Sequence, residues 1–132
     1  MQLICKSFKI ADFEAYVKTL KFNGWTPQFI VVHNTSEPTQ ELYKSWHDKP
    51  NWTMEQWGQN LANYYKGLGW NGTPHCFVGY DKILVLNDLT IHGTHTPSWN
   101  KFTWIITNFS ASGTTGGLRQ SLSLKKSLLI ME

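Results

Sequence analysis

Cysteine is nearly missing from this chain: Cys5 and Cys76 are the only two among 132 residues. They lie far apart with no C-x-x-C spacing, which excludes a disulfide framework and a zinc ribbon and leaves two buried or free thiols. Long apolar runs are missing too. The opening "MQLICKSFKI" has no extended hydrophobic stretch, so it reads as neither a signal peptide nor a membrane span, and a soluble chain with no membrane partner is expected. Without a leader, the four N-x-Ser/Thr matches at Asn34, Asn51, Asn71 and Asn108 read as chance. A dense basic stripe is absent as well. The net charge is +3 and the pI about 8.9, but the lysines are interspersed with acids through the first ninety or so residues. Nucleic acid is therefore not an expected partner, although a mild positive charge favours approach to an anionic polymer.

Three residue classes also run out along the chain. No carboxylate follows Asp88 until the final Glu132, no histidine follows His95, and no aromatic follows Phe109. The stretch from Ser110, "SASGTTGGLRQSLSLKKSLLIME", opens Ser/Gly/Thr-rich and ends leucine-rich without a helical or strand period. The domain is accordingly expected over 1–109, with 110–132 as a tail that does not belong to it.

What remains is 41% hydrophobic and holds seven tryptophans, which excludes a disordered chain. A single domain of this length buries about two-thirds of its unfolded surface, and a monomer is expected. Ile10, Phe13, Val17 and Leu20 sit at helical spacing ahead of an Asn23-Gly24 turn. Residues 28–33 form an apolar strand ending on His33, predicted to lie in the sheet centre. The polar, proline-marked stretch 36–52 reads as a long loop. Thr53 and Gln56 make a capping box, followed by Met54, Trp57, Leu61, Tyr64, Tyr65 and Leu68 on one helical face. Residues 75–80 and 82–87 read as a hairpin, and 102–109 as a further strand. The fold class is therefore α/β, a mixed central sheet flanked by helices.

Four histidines could meet at one sheet edge: His33 at a strand end, His75 at a strand start, and His92 and His95 in one loop. A catalytic zinc needs three protein ligands and an open position for water, which it acidifies to a pKa of about 7. Each histidine taken singly reads first as a hydrogen-bonded loop or core residue.

The ordered strings "FIVVHNTSEPT", "YYKGLGWNGTPHCFVGYDKILVLNDLT" and "HGTHTPSWNKFTW" resemble the N-acetylmuramoyl-L-alanine amidase type 2 family, over about Trp25 to Trp104. That family includes peptidoglycan-recognition proteins and phage amidases. The resemblance implies a zinc-amidase fold lacking its C-terminal part, Zn2+ as cofactor, and peptidoglycan (muramyl peptide) as partner. The reaction it implies is cleavage of the amide between N-acetylmuramic acid and L-alanine. It further implies His33 as a metal ligand, and His75, His95 and Asn100 as residues lining the substrate cleft. Trp70 and Trp99 flank the matched loops, where their indole faces could stack on sugar or peptide; for Trp70, packing is an equal alternative. Trp57 reads as core, while Trp46 and Trp52 are open to substrate contact or loop anchoring. A chain without a leader would stay cytoplasmic or reach the wall through a lysis system.

The chain departs from the family at its end. A Gly-x-Glu strand is expected where this sequence has Ile105, Ile106 and Thr107, so Thr107 stands at the carboxylate position. The later histidine and the cysteine or aspartate that complete the family's zinc site have no counterpart. A truncated member with a frame-shifted end, short of full activity, is the expectation. The alternatives are a module that binds peptidoglycan without cutting it and an unrelated carbohydrate-binding domain that uses the tryptophans.

Overall fold

The computed structural model describes residues 2–34, 40–79, 81–94 and 103–108; for 103–108, and for Val32, Asn34 and Gln40, only the backbone is described. The elements in chain order are β1 (Leu3–Phe8), α1 (Ile10–Lys18), β2 (Phe29–Asn34), α2 (Gln40–His47), α3 (Met54–Gly67), β3 (Cys76–Val78), β4 (Ile83–Asn87) and β5 (Thr103–Asn108). The five strands form one sheet in the order β1-β4-β3-β5-β2. Pairings β1–β4 and β4–β3 are antiparallel, whereas β3–β5 and β5–β2 are parallel, so the sheet is mixed as expected.

Period-two alternation in β3 and β4 sends neighbouring side chains to opposite faces and builds two cores. Cys76, Val78, Ile83 and Val85 pack with Phe13 and Val17 of α1. Phe77, Leu84 and Leu86 pack with Tyr43 of α2 and with Met54 and Trp57 of α3. Helices thus cover both faces, the α/β class read from the sequence. Cys76 is fully buried and burial pushes its thiol well up, which fits a structural thiol.

The helix α3 begins where its cap predicts: Thr53 Oγ1 accepts from the Gln56 backbone N–H at 3.2 Å. Its buried stripe is narrower than the apolar spacing implied. Tyr64 and Leu68 are 61% and 51% exposed, while Met54, Trp57, Gly58 and Ala62 are buried. Small residues let the helix axis approach the sheet: a β-carbon on Gly58 would lie 2.6 Å from Leu84 Cδ2 and 3.2 Å from Cys5 Sγ. Cys5 itself has φ 49° and sits where the β1–β4 register slips between Leu3 and Lys6, a bulge.

Two expectations are corrected. The strand ending on His33 lies at the end of the strand order among the described residues, not at its centre. Its run is apolar on both sides, yet Phe29 is 54% exposed and Ile30 is only partly buried against the α1 core; an edge strand with one weakly covered face has the same pattern as a central one. The supposed loop 36–52 contains α2. Tyr43 anchors it, 1% exposed with its ring at right angles to Trp57 and Trp52. The many polar residues of α2 hid a helix whose buried contact is concentrated in one aromatic. β1, for which the sequence prompted no assignment, pairs along β4. The tail from 110 lies outside the described residues.

Candidate functional site

The three parallel strands end together. His33 of β2 is level with Thr107 of β5, which is level with Phe77 of β3; Asn34, Asn108 and Val78 form the next row. Ligands of open α/β sheets bind beyond the carboxyl ends of parallel strands, which makes this edge the first place to look. His33 is there and partly exposed. Thr107, the position of the expected carboxylate, is its direct backbone neighbour across the ladder.

The same edge carries a histidine that the sequence reading passed over. The turn after β3 holds Asp81, whose Oδ1 lies 3.5 Å from His47 Nε2, and His47 Nδ1 is 3.4 Å from Asp48 Oδ1. His47 ends α2, one turn after Tyr43, and its ring lies 5.1 Å from that of Trp52. Had the helix been recognised, the Tyr43/His47 spacing of four would have placed both on one face. The two carboxylates are exposed, so these contacts orient the ring and add little stability.

His75 is placed differently. It precedes β3 and is fully buried, with Nε2 2.7 Å from the Ile91 carbonyl. A carbonyl only accepts, so Nε2 carries the proton. Burial lowers the His75 pKa from 6.5 to about 4, against the opposing pull of the Ile91 carbonyl and Asp88, and the ring is neutral at pH 7. By strand spacing, its row lies about two residues, roughly 7 Å, behind that of His33 and two strands, roughly 10 Å, across. His92 is exposed and sets its ring edge-on to Trp25 at 4.8 Å, and Trp25 Nε1 donates to the Thr90 carbonyl at 2.8 Å.

The loop before His75 meets the start of the loop that carries His95. The Thr94 N–H donates to the Thr73 carbonyl at 3.2 Å, and a β-carbon on Gly72 would lie 2.3 Å from Thr94 Oγ1, so only glycine allows that approach. Trp70 stacks on Tyr65, centroids 4.9 Å apart and planes 6° from parallel, which covers one indole face and leaves the residue 36% exposed. His95, Trp99 and Asn100 lie outside the described residues.

A groove of about 610 Å³ opens between α2 and α3. Trp46 and Leu42 line one side, Gln56, Asn60 and Tyr64 the other, and Trp52 and Trp57 are also in its lining. Trp57 is core, as expected, and also reaches this groove.

Among the described residues no three histidine, cysteine, aspartate or glutamate side chains gather as a metal group. Of the resemblance's ligand set only His33 has a counterpart here, and the Nε2 proton of His75 faces a carbonyl. A zinc held by three protein ligands therefore does not fit the described donor set.

Protein families, curated proteins and solved structures give no match to this chain. Among the described residues no helix is long and apolar enough to cross a membrane.

Proposed function

We propose that this chain is a peptidoglycan-directed domain on the zinc-amidase plan, and that it recognises the wall polymer rather than cutting it. The observation that carries the first half is the meeting of two separated motif loops: Gly72 and Thr73, before His75, lie against Thr94, which precedes His95. The β3–β4 hairpin holds these two flanks side by side, and their contact agrees with the order of the motifs along the chain. The position of His33 on the carboxyl edge of the parallel strands agrees with it.

The second half follows from chemistry. Hydrolysis of an amide at neutral pH needs an activated water, a donor set for the oxyanion and a group that moves protons. Here Thr107 occupies the carboxylate position, and a threonine hydroxyl does not act as a base near pH 7. A strand-end imidazole at the carboxyl edge of the parallel strands still suits recognition, since it can donate to or accept from the carbonyls, amides and hydroxyls of a muramyl peptide.

Mixing the full chain with purified peptidoglycan sacculi tests both halves. The protein is expected to sediment with the wall in a saturable manner, with no free stem peptide in the supernatant. Protein left in solution would overturn the peptidoglycan reading, and released stem peptide would overturn the binding-only part.

A further inference from the structure

We propose that the groove between α2 and α3 is a binding site for a β-linked oligosaccharide of N-acetylhexosamine. The groove is separate from the His33 edge. Its choice of ligand agrees with the peptidoglycan reading, but the physical case below does not need it.

The volume, about 610 Å³, lies within the range of small-ligand sites. Trp46 and Tyr64 offer flat rings, with Tyr64 61% exposed. Such rings suit the C–H face of a pyranose whose substituents are all equatorial, because one side of that sugar is apolar while its rim is polar. Among the described residues of the lining, Lys49 is the one ionisable group apart from the Tyr64 phenol and no carboxylate is present, so a neutral or weakly acidic ligand is favoured.

The amides narrow the choice further. Gln56 and Asn60 stand one helical turn apart on α3, and Gln56 Nε2 donates to Asn60 Oδ1 at 3.3 Å. This pairing leaves Gln56 Oε1 as acceptor and Asn60 Nδ2 as donor for a ligand. An acetamido group carries the matching N–H and C=O, and its methyl can rest on an indole. The Trp52 ring is also in the lining. An apolar helix docking here would instead strip water from Gln56, Asn60 and Asn51 without replacing their hydrogen bonds, which is costly.

Calorimetric titration of the full chain with chitohexaose tests this. Saturable binding is expected, weakened about tenfold by Tyr64→Ala and about tenfold by the double change Gln56→Ala with Asn60→Ala, the scale of one lost stack or one lost hydrogen-bond pair. All three positions are exposed, so the variants keep the wild-type circular dichroism and a loss of binding is not a loss of fold. Absence of saturable binding, unchanged affinity in both variants, or equal affinity for cellohexaose would overturn the assignment. Chitohexaose binding without sedimentation on sacculi would leave this site standing and remove the peptidoglycan reading; sedimentation without chitohexaose binding would do the reverse.

Discussion

Lowering the pH from 7 to 4 is expected to cost the native state roughly 3 kcal/mol through His75 alone. Burial lowers its pKa from the ordinary 6.5 to about 4. The folded protein thus binds fewer protons than the unfolded chain between these values, and stability rises with pH across that window. The contribution is fully present above pH 6.5 and is lost progressively as the pH falls toward 4. Other groups titrate there as well. Burial alone would raise the Glu55 carboxyl, but hydrogen bonds from the Ser7 hydroxyl and backbone N–H, with Lys82 nearby, hold it below the usual range, so its loss comes at lower pH. A variant comparison isolates the histidine. Urea unfolding of wild type and His75→Gln at pH 7 and pH 4.5 should show a steep loss in the wild type and a shallow one in the variant, since glutamine can still donate to the Ile91 carbonyl and does not ionise. Parallel pH profiles would contradict the burial of this ring.

Phe77→Ala should be the more damaging substitution at neutral pH, lowering stability by about 3–5 kcal/mol. The ring is 1% exposed on the short strand β3, lies edge-on to Trp57 at 5.5 Å, and belongs to the core that α2 and α3 share with the sheet. Strands β4 and β5 hold its backbone on either side, so the surroundings have little room to collapse into the space left. Against a total stability of about 5–15 kcal/mol for an ordinary domain, that loss brings the chain close to unfolding at 37 °C. Urea unfolding at pH 7 measures it, and a loss below about 1 kcal/mol would show that this core is not packed as described.

The sequence disclosed those elements whose stability comes from their own pattern. The helix from Thr53 shows its cap, and the hairpin of β3 and β4 shows two apolar runs around a short turn. α1 shows a spacing of three and four. What stayed hidden depends on contacts between distant segments. α2 is held by Tyr43 against Trp57 and Trp52, so its own polar sequence reads as a loop. β2 has the composition of a central strand but stands at the end of the strand order, which no local pattern records. The width of the buried stripe on α3 is set by Gly58 meeting Leu84, again a tertiary fact.

The site was legible in the same uneven way. His33 at a strand end follows from where the apolar run stops, and its place on the carboxyl edge follows from the parallel pairing with β5. His47 and the groove between α2 and α3 both depend on a helix that was not foreseen. His75 could be placed at a strand start but not judged for burial, because its cover is the Ile91 carbonyl sixteen residues away.

The central claim is that the carboxyl edge around His33 receives the muramyl peptide of the wall. Backbone amide NMR of the full chain, titrated with a soluble N-acetylmuramyl tripeptide, tests it most directly. The largest saturable shifts are expected on His33, Val78, Gly79 and Asp81. Shifts centred on the opposite edge, at Leu3, Phe29 and Asn87, or no saturable shifts at all, would contradict it.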